Sequence, residues 1–184
     1  MSAKWVLLPV LGAPIAHAPV LKWDLLPGLA ALPVDGGRTL RGRRLFGANK
    51  TVRGALFMVA GPAVASVALR RSSWYRRRLP SDIADASPLV VGSLLGLGVF
   101  AGELPNSFVK RQLDIAPGSQ RTDPAGVAIT LVDQADFTFM SLALLRPVWT
   151  WSGRDAAEIV AVATGVHLVT NVIGYAIGAR KSLL

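Results

Sequence analysis

Long uncharged stretches recur along this chain and dominate its pattern of polar and apolar positions. Four stretches contain no charged side chain, and they cover residues 5–21, 54–69, 86–102 and 159–179. A fifth apolar stretch, 124–145, is interrupted only by Asp133 and Asp136. A membrane-spanning helix needs about 20 mostly apolar residues. The pattern therefore predicts an all-α polytopic membrane protein, a bundle of about five transmembrane helices over residues 5–25, 54–71, 87–104, 124–146 and 156–179.

The composition agrees with a membrane protein and excludes a soluble or disordered one. Of the 184 residues, 52% are apolar and 17% are charged, and the mean hydropathy is +0.45. A soluble domain carries about 25% charged residues, so this chain lacks the polar surface that a soluble fold needs. The length suits a single integral membrane domain over residues 1–184. Because the sequence has no cysteine, disulfides, thiolate metal sites and a cysteine nucleophile are excluded.

The distribution of basic residues sets the expected orientation in the membrane. Lys and Arg number 20 against 11 Asp and Glu, and six of the 20 lie within residues 35–53. Since cytoplasmic loops carry an excess of Lys and Arg, we predict that this loop faces the cytoplasm from the cytoplasmic (inner) membrane, with the N-terminus outside. A cluster of five arginines within residues 70–78 opposes this assignment. We interpret the N-terminal stretch as a span kinked by prolines rather than a signal peptide, because no small-residue cleavage site precedes Lys22.

Glycines at helical spacing indicate where spans approach each other closely. Three pairs are spaced four residues apart: Gly92 and Gly96, Gly98 and Gly102, and Gly174 and Gly178. Small residues at this spacing favour close helix packing in lipid, so we assign them a packing role without chemistry.

Candidate chemistry begins in the loop between the first two spans, where glycines alternate with basic residues. The basic side chains of this loop are Arg38, Arg41, Arg43, Arg44, Lys50 and Arg53. Backbone N–H groups of glycine-rich loops and guanidinium groups both bind phosphate oxygens. The loop is not a Walker A motif, because Lys50 lies only three residues after Gly47. The alternative is a loop that only sets topology on anionic lipid, and composition alone leaves both open.

Two further polar groups lie at the same predicted side of the membrane. The third predicted span ends at Glu103 and Leu104, and Ser107, Lys110 and Arg111 follow it. The fourth contains Asp133 and Asp136, and carboxylates inside a span are costly and usually functional. At positions i and i+3 the two carboxylates lie on one helix face, where they suit a hard cation such as Mg²⁺. The structural alternative is a pair neutralised by neighbouring arginines or by protonation.

Together these motifs resemble the CDP-archaeol synthases, which are related to the phosphatidate cytidylyltransferases. The resemblance rests on the basic loop with Lys50-Thr51, on the Glu103…Ser107-x-x-Lys110-Arg111 element and on Asp133-Gln134-x-Asp136-Phe137. It extends over nearly the whole chain. It implies an enzyme that transfers the cytidylyl group of CTP to a lipid phosphate, of the phosphatidate or prenyl-glycerol phosphate type. The products are a CDP-lipid and pyrophosphate, and the cofactor is Mg²⁺.

The resemblance also implies roles for individual residues. Catalytic roles fall to Asp133, Asp136 and Lys110, and metal binding falls to Glu103, Asp133 and Asp136. Substrate binding falls to Arg43, Arg44, Lys50, Thr51, Arg53, Ser107 and Arg111. The expected partners are CTP, a lipid phosphate and the membrane, with no nucleic acid and with a homodimer as the oligomeric option.

Several positions depart from the pattern of that family. Arg41 stands where Asp is common, Glu103 replaces the usual Asp, and Ala48 and His17 also differ. These departures allow a second reading, a catalytically weakened relative that binds lipid or a partner protein. A small ion transporter is the other alternative, and five spans without an internal repeat disfavour it.

Overall fold

Helices form nearly all of the regular structure in the computed structural model, which describes residues 2–115 and 136–176, with side chains over 2–115 and 137–166. A 3₁₀ helix, Ala3–Leu11, continues into α1, Gly12–Lys22. The other helices are α2 (Pro27–Ala30), α3 (Val52–Arg70), α4 (Ser73–Arg76), α5 (Ser81–Asp85), α6 (Pro88–Gln112), α7 (Asp136–Leu145) and α8 (Gly153–Ala176). Two short strands, β1 (Thr39–Leu40) and β2 (Arg43–Arg44), pair as an antiparallel hairpin.

Three helical stretches of the described residues are long and apolar enough to cross a membrane. They are Ala3–Lys22, Val52–Arg70 and Pro88–Gln112. These stretches coincide with the first three predicted spans, and the all-α membrane fold is confirmed. Helices α7 and α8 overlap the fourth and fifth predicted spans, and the total of five spans stays a prediction.

Helix α6 extends beyond the end of the third predicted span. The sequence suggested an end near residue 104, whereas α6 continues to Gln112 and carries Ser107, Lys110 and Arg111 as helical residues. Hydropathy marks where apolar side chains stop, but backbone hydrogen bonding continues into polar sequence. Lys110 and Arg111 lie in the last turn, where positive charge favours a helix C-terminus. The polar residues of α6 are therefore held on a rigid helix rather than in a loop.

Glycines bring the spans into backbone contact. A Cβ on Gly12 would collide with Gly61, and a Cβ on Gly61 would collide with Gly12, so α1 and α3 touch at these two residues. On α6, a Cβ on Gly92 or Gly96 would collide with the α3 backbone. A Cβ on Gly98 would collide with Ser141 of α7. The predicted packing role is confirmed at these three α6 glycines, while the Gly174–Gly178 pair lies outside the described side chains.

A buried apolar cluster lies at the end of the bundle opposite the β1–β2 hairpin. It joins the start of the 3₁₀ helix, α4, α5 and the first turns of α6 to the end of α7 and the start of α8. The backbone N–H of Ala3 donates to Glu158 of α8 at 2.9 Å, and the Tyr75 hydroxyl donates to the Trp5 carbonyl at 3.0 Å. Arg70 donates to the carbonyls of Ile83, at 2.5 Å, and of Ala84. Part of the arginine cluster 70–78 is therefore used to hold α5 against α3.

Candidate functional site

The basic loop folds around a hairpin with a two-residue turn. Arg41 and Gly42 both have positive φ, +52° and +79°, as a tight hairpin turn requires at its two central positions. Asn, Asp and Gly tolerate this backbone conformation better than other residues. Arg41 therefore adopts a backbone conformation that is less favourable for arginine than for Asp, Asn or Gly.

Asp35 organises the interior of this loop. Its carboxylate, which is fully buried, accepts from Arg44 at 2.5 Å. It also accepts backbone hydrogen bonds from Gly37 at 3.0 Å, Phe46 at 3.1 Å and Gly47 at 3.3 Å. Burial alone would raise the pKa of Asp35, but the Arg44 guanidinium and the three N–H groups together hold this pKa well below its ordinary value. Arg44, which we had expected to bind substrate, is thereby the internal counter-ion of the loop.

The loop is fastened to the start of α3 by backbone bonds. The Val34 N–H donates to the Lys50 carbonyl at 2.8 Å, and the Val52 N–H donates to the Leu32 carbonyl at 2.9 Å. Thr51, an expected substrate-binding residue, is the N-cap of α3 and accepts from the Gly54 N–H at 3.2 Å. Lys50 is therefore fixed immediately before a helix N-terminus, which attracts anions.

The loop and the end of α6 meet through polar contacts. Lys50 forms an ion pair with Glu103, and Arg43 donates from Nε to Asp114 at 2.8 Å. Gln112 donates to the Arg44 carbonyl at 3.4 Å. A Cβ on Gly47 would lie 3.4 Å from Cδ of Arg111, so the loop backbone packs directly on that side chain. Of the expected site residues, the structure brings together Arg43, Arg44, Lys50, Glu103 and Arg111.

Arg53 is separated from this group. It donates to Asp24 at 2.6 Å and to the Leu25 carbonyl at 2.9 Å, just after α1. Its contacts join the end of the first span to the start of α3. Arg53 is an expected substrate-binding residue, but its partners among the described residues are structural.

Buried polar atoms without partners lie on α6 and α7 of the described structure. Among the described residues they are Nδ2 of Asn106, Nε of Arg111 and Oγ1 of Thr138. Asn106 is 5% exposed and lies between Glu103 and Lys110 on α6. Asn106 was not among the expected site residues, because it follows the predicted span 87–104 in a polar segment whose burial the sequence does not show. Ser107 and Lys110 are half-buried on the same helix.

The expected carboxylate set is only partly described. Asp133 lies outside the described residues, and Asp136 begins α7 with a side chain outside the described set. Among the described residues, no group of three His, Asp or Glu side chains could hold a metal ion. Glu103, 38% exposed beside Lys50, is the described member of the set. Its oxygen ligand suits Mg²⁺, which is commonly held by one or two carboxylates together with substrate phosphates.

Comparison with known proteins matches the chain from end to end. A family model described as CarS-like CDP-archaeol synthase matches residues 4–183. The CDP-archaeol synthase of Halobacterium salinarum is 35% identical, over 97% of this chain and 93% of that protein. The CDP-archaeol synthase of Aeropyrum pernix is 33% identical, over 98% of this chain and 96% of that protein.

One solved structure is similar in both sequence and fold. It is described as an intramembrane enzyme for archaeal membrane lipid biosynthesis, and it matches with a TM-score of 0.58 and 33% identity. The match covers 89% of this chain and 94% of that one. The family model and the relatives match nearly the whole chain, and the apolar helical bundle agrees with an intramembrane enzyme. The chain therefore belongs to the CarS-like CDP-archaeol synthase family of membrane-bound nucleotidyltransferases.

Proposed function

We propose that this enzyme transfers the cytidylyl group of CTP to a lipid phosphate of the prenyl-glycerol phosphate type. Membership of the family supports the cytidylyl transfer, and the archaeol in the names of the relatives supports an isoprenoid glycerol lipid. The observation that carries the proposal is the meeting of the basic loop with the polar end of α6 at one end of an apolar bundle. A water-soluble triphosphate and a membrane-embedded lipid phosphate can approach each other there.

The reaction needs no covalent intermediate with the protein. An oxygen of the lipid phosphate attacks the α-phosphorus of CTP, a new P–O bond forms, and the bond to the pyrophosphate oxygen breaks. Catalysis of this kind depends on positioning and on neutralising the charge of the leaving group. Lys50 at the start of α3, with Lys110 and Arg111 near the end of α6, supplies positive charge for the phosphates.

We propose that Glu103, Asp133 and Asp136 hold Mg²⁺ at this site. When bound, Mg²⁺ would supply positive charge to the pyrophosphate oxygens. The ion pair between Lys50 and Glu103 is consistent with such a site. In a magnesium–triphosphate complex the ammonium group of Lys50 can bind a phosphate oxygen, and the carboxylate of Glu103 can bind the metal ion. In this proposal Lys50 binds phosphate and Glu103 binds metal once the nucleotide enters.

We also propose that this end of the bundle faces the cytoplasm. The loop 35–53 carries six basic residues, which favours a cytoplasmic position, and CTP is a cytoplasmic metabolite. The lipid phosphate would then reach the site from the inner leaflet of the membrane.

Product formation tests the reaction directly. Purified protein in lipid nanodiscs is incubated with labelled CTP, Mg²⁺ and either a prenyl-glycerol phosphate or phosphatidate, and labelled CDP-lipid is measured. We expect product with the prenyl lipid. Asp133→Asn and Asp136→Asn should fold normally and give no product at any Mg²⁺ concentration, because each loses a negative metal ligand while keeping its volume.

The matched control for these variants is Asp85→Asn, which changes an exposed aspartate at the opposite end of the bundle. Asp85→Asn should retain the activity of the wild-type protein. Full activity in either Asp133→Asn or Asp136→Asn would exclude the metal role of that residue. CTP binding without CDP-lipid would instead favour the alternative of a catalytically weakened lipid-binding relative.

A further inference from the structure

One buried hydrogen-bond donor on α6, the side-chain amide of Asn106, has no acceptor among the described residues. Asn106 is 5% exposed, and its Nδ2 finds no acceptor among the described residues. Leaving a buried N–H without an acceptor is unfavourable, and native proteins satisfy nearly all such groups. Among the described residues nothing satisfies this donor, so it is open to an acceptor that a bound ligand brings.

Helical geometry places Asn106 beside the charged residues of the candidate site. At about 100° per residue, Glu103 and Lys110 lie within about 60° of Asn106 around the axis of α6. Lys50 reaches the same helix from the loop through its ion pair with Glu103. The Asn106 amide thus lies about 60° around α6 from Glu103, the residue that pairs with Lys50 of the cationic loop.

Two of the unpartnered buried atoms on α6 are hydrogen-bond donors. Arg111 has a buried Nε without an acceptor, and this atom, like Nδ2 of Asn106, can only donate. A group that satisfies the Asn106 donor must be an acceptor, and phosphate oxygens are the acceptors that a cationic site attracts.

We propose that Asn106 donates from Nδ2 to a non-bridging phosphate oxygen of a bound substrate, either the triphosphate of CTP or the lipid phosphate. This inference rests on the cytidylyl transfer proposed above and adds Asn106 to its binding residues. The Lys50–Glu103 ion pair lies one helical turn before Asn106. A phosphate that draws Lys50 away from Glu103 would approach the amide from that side.

Replacing Asn106 by leucine separates a ligand contact from a structural role. Asn106→Leu keeps a similar volume and removes a buried donor that has no partner in the unliganded protein. The variant should therefore unfold at the same or a higher temperature without ligand. Its kcat/KM should fall about 10- to 100-fold, the size expected for losing one hydrogen bond to a charged group. The increase in unfolding temperature on adding CTP, or on adding the lipid phosphate, should shrink.

Two further variants complete the test in the full-length protein. Asn106→Asp keeps the shape and places a carboxylate against the phosphate, so it should lose at least as much kcat/KM as Asn106→Leu. Ser66→Ala changes a buried polar residue of α3 away from the site, near Gly92, and should leave both substrate constants unchanged. A rise in KM for CTP alone identifies the nucleotide as the phosphate source, and a rise for the lipid alone identifies the lipid phosphate.

The inference and the proposed function fail in different ways. The proposed function is overturned if the wild-type protein makes no CDP-lipid and is not stabilised by CTP. If the wild-type protein makes CDP-lipid and is stabilised by CTP, and Asn106→Leu has the same kcat/KM as the wild type, only the inference about Asn106 is overturned. It is also overturned if Asn106→Leu unfolds at a lower temperature without ligand while binding CTP and lipid phosphate as tightly as before.

Discussion

At the scale of single residues, the candidate site depends on how its charges are divided between structure and chemistry. Asp35 and Arg44 neutralise each other inside the loop, and Arg53 is occupied by Asp24. Lys50 is paired with Glu103, a residue that has its own place in the proposed metal site. The charge available to a substrate is therefore smaller than the six basic residues of the loop suggest.

Asp35→Asn should destabilise the loop. The change weakens a buried carboxylate that receives one guanidinium and three backbone N–H groups. Hydrogen bonds to a charged group contribute about 1.5–3 kcal/mol each, so we expect a loss of about 2 kcal/mol in local stability. Faster cleavage of the loop by a protease, measured beside Asp24→Asn as a control for an exposed ion pair, checks this expectation. Equal cleavage of both variants would contradict it.

The same carboxylate predicts how the loop responds to acid. The pKa of Asp35 is held below its ordinary value in the folded protein, so its stabilising effect is complete above about pH 4, the ordinary aspartate pKa. The effect is lost as the pH falls through the lower, folded-state pKa. Protease resistance of the loop should therefore stay constant from pH 7 to about pH 4 and fall only in stronger acid. Asp35→Asn should lack that acid-dependent step.

Lys50→Ala should raise KM for CTP about tenfold or more, because it removes a charge that we place against the triphosphate. Membrane insertion should be normal, since Lys50 lies before α3 rather than within a span. Lys22→Ala is a suitable control, because Lys22 lies at the end of α1 over the Trp23 ring. Glu103→Gln should lose less CDP-lipid synthesis than Asp133→Asn or Asp136→Asn. An unchanged dependence on CTP in Lys50→Ala would leave the loop with a topology-setting role only.

At the scale of elements, the spans are held together where glycines let backbones touch. Gly61→Val should strongly destabilise the protein, because even a Cβ on Gly61 would collide with the Gly12 backbone. Overpacking a tight contact costs about 1–3 kcal/mol, and a backbone clash lies at the upper end of that range. Gly165→Val is the matched control, since Gly165 of α8 has no neighbour within 4 Å of its added Cβ. Thermal unfolding in detergent should show a lower midpoint for Gly61→Val only.

The elements also show where hydropathy is a poor guide. The charge-free stretches located the first three spans, because lipid requires apolar side chains over a fixed length. They did not locate the end of α6, whose last two turns are polar but helical. The hairpin of residues 39–44 was not predicted either, because two-residue strands leave almost no pattern in the sequence.

At the scale of the whole molecule, the two ends of the bundle are built differently. The end with the apolar cluster is held by buried side chains, while the end with the candidate site is held by ion pairs and loop hydrogen bonds. Polar contacts of this kind can be exchanged for contacts with a charged substrate at little cost. Packed apolar contacts cannot. The arrangement suits a rigid anchor at one end and ligand binding at the other.

Labelling of single cysteines tests the proposed orientation. The chain has no cysteine of its own, and Thr39 and Ser72 are exposed at opposite ends of α3. In intact cells, an impermeant thiol reagent should label Ser72→Cys and should label Thr39→Cys only after the membrane is opened. Ser119→Cys should behave like Thr39→Cys, although Ser119 lies outside the described residues. Labelling of Thr39→Cys from outside would contradict a cytoplasmic site.

The sequence by itself determined the membrane class, the family and the segments that carry the chemistry. It did so because the length of apolar stretches, the spacing of glycines and the order of short motifs are local properties. Only the tertiary structure decided which charges are already paired, because the partners lie far apart in sequence, as Lys50 and Glu103 do. The tertiary structure likewise shows that Thr51 caps α3 and that Asn106 is a buried donor without an acceptor among the described residues.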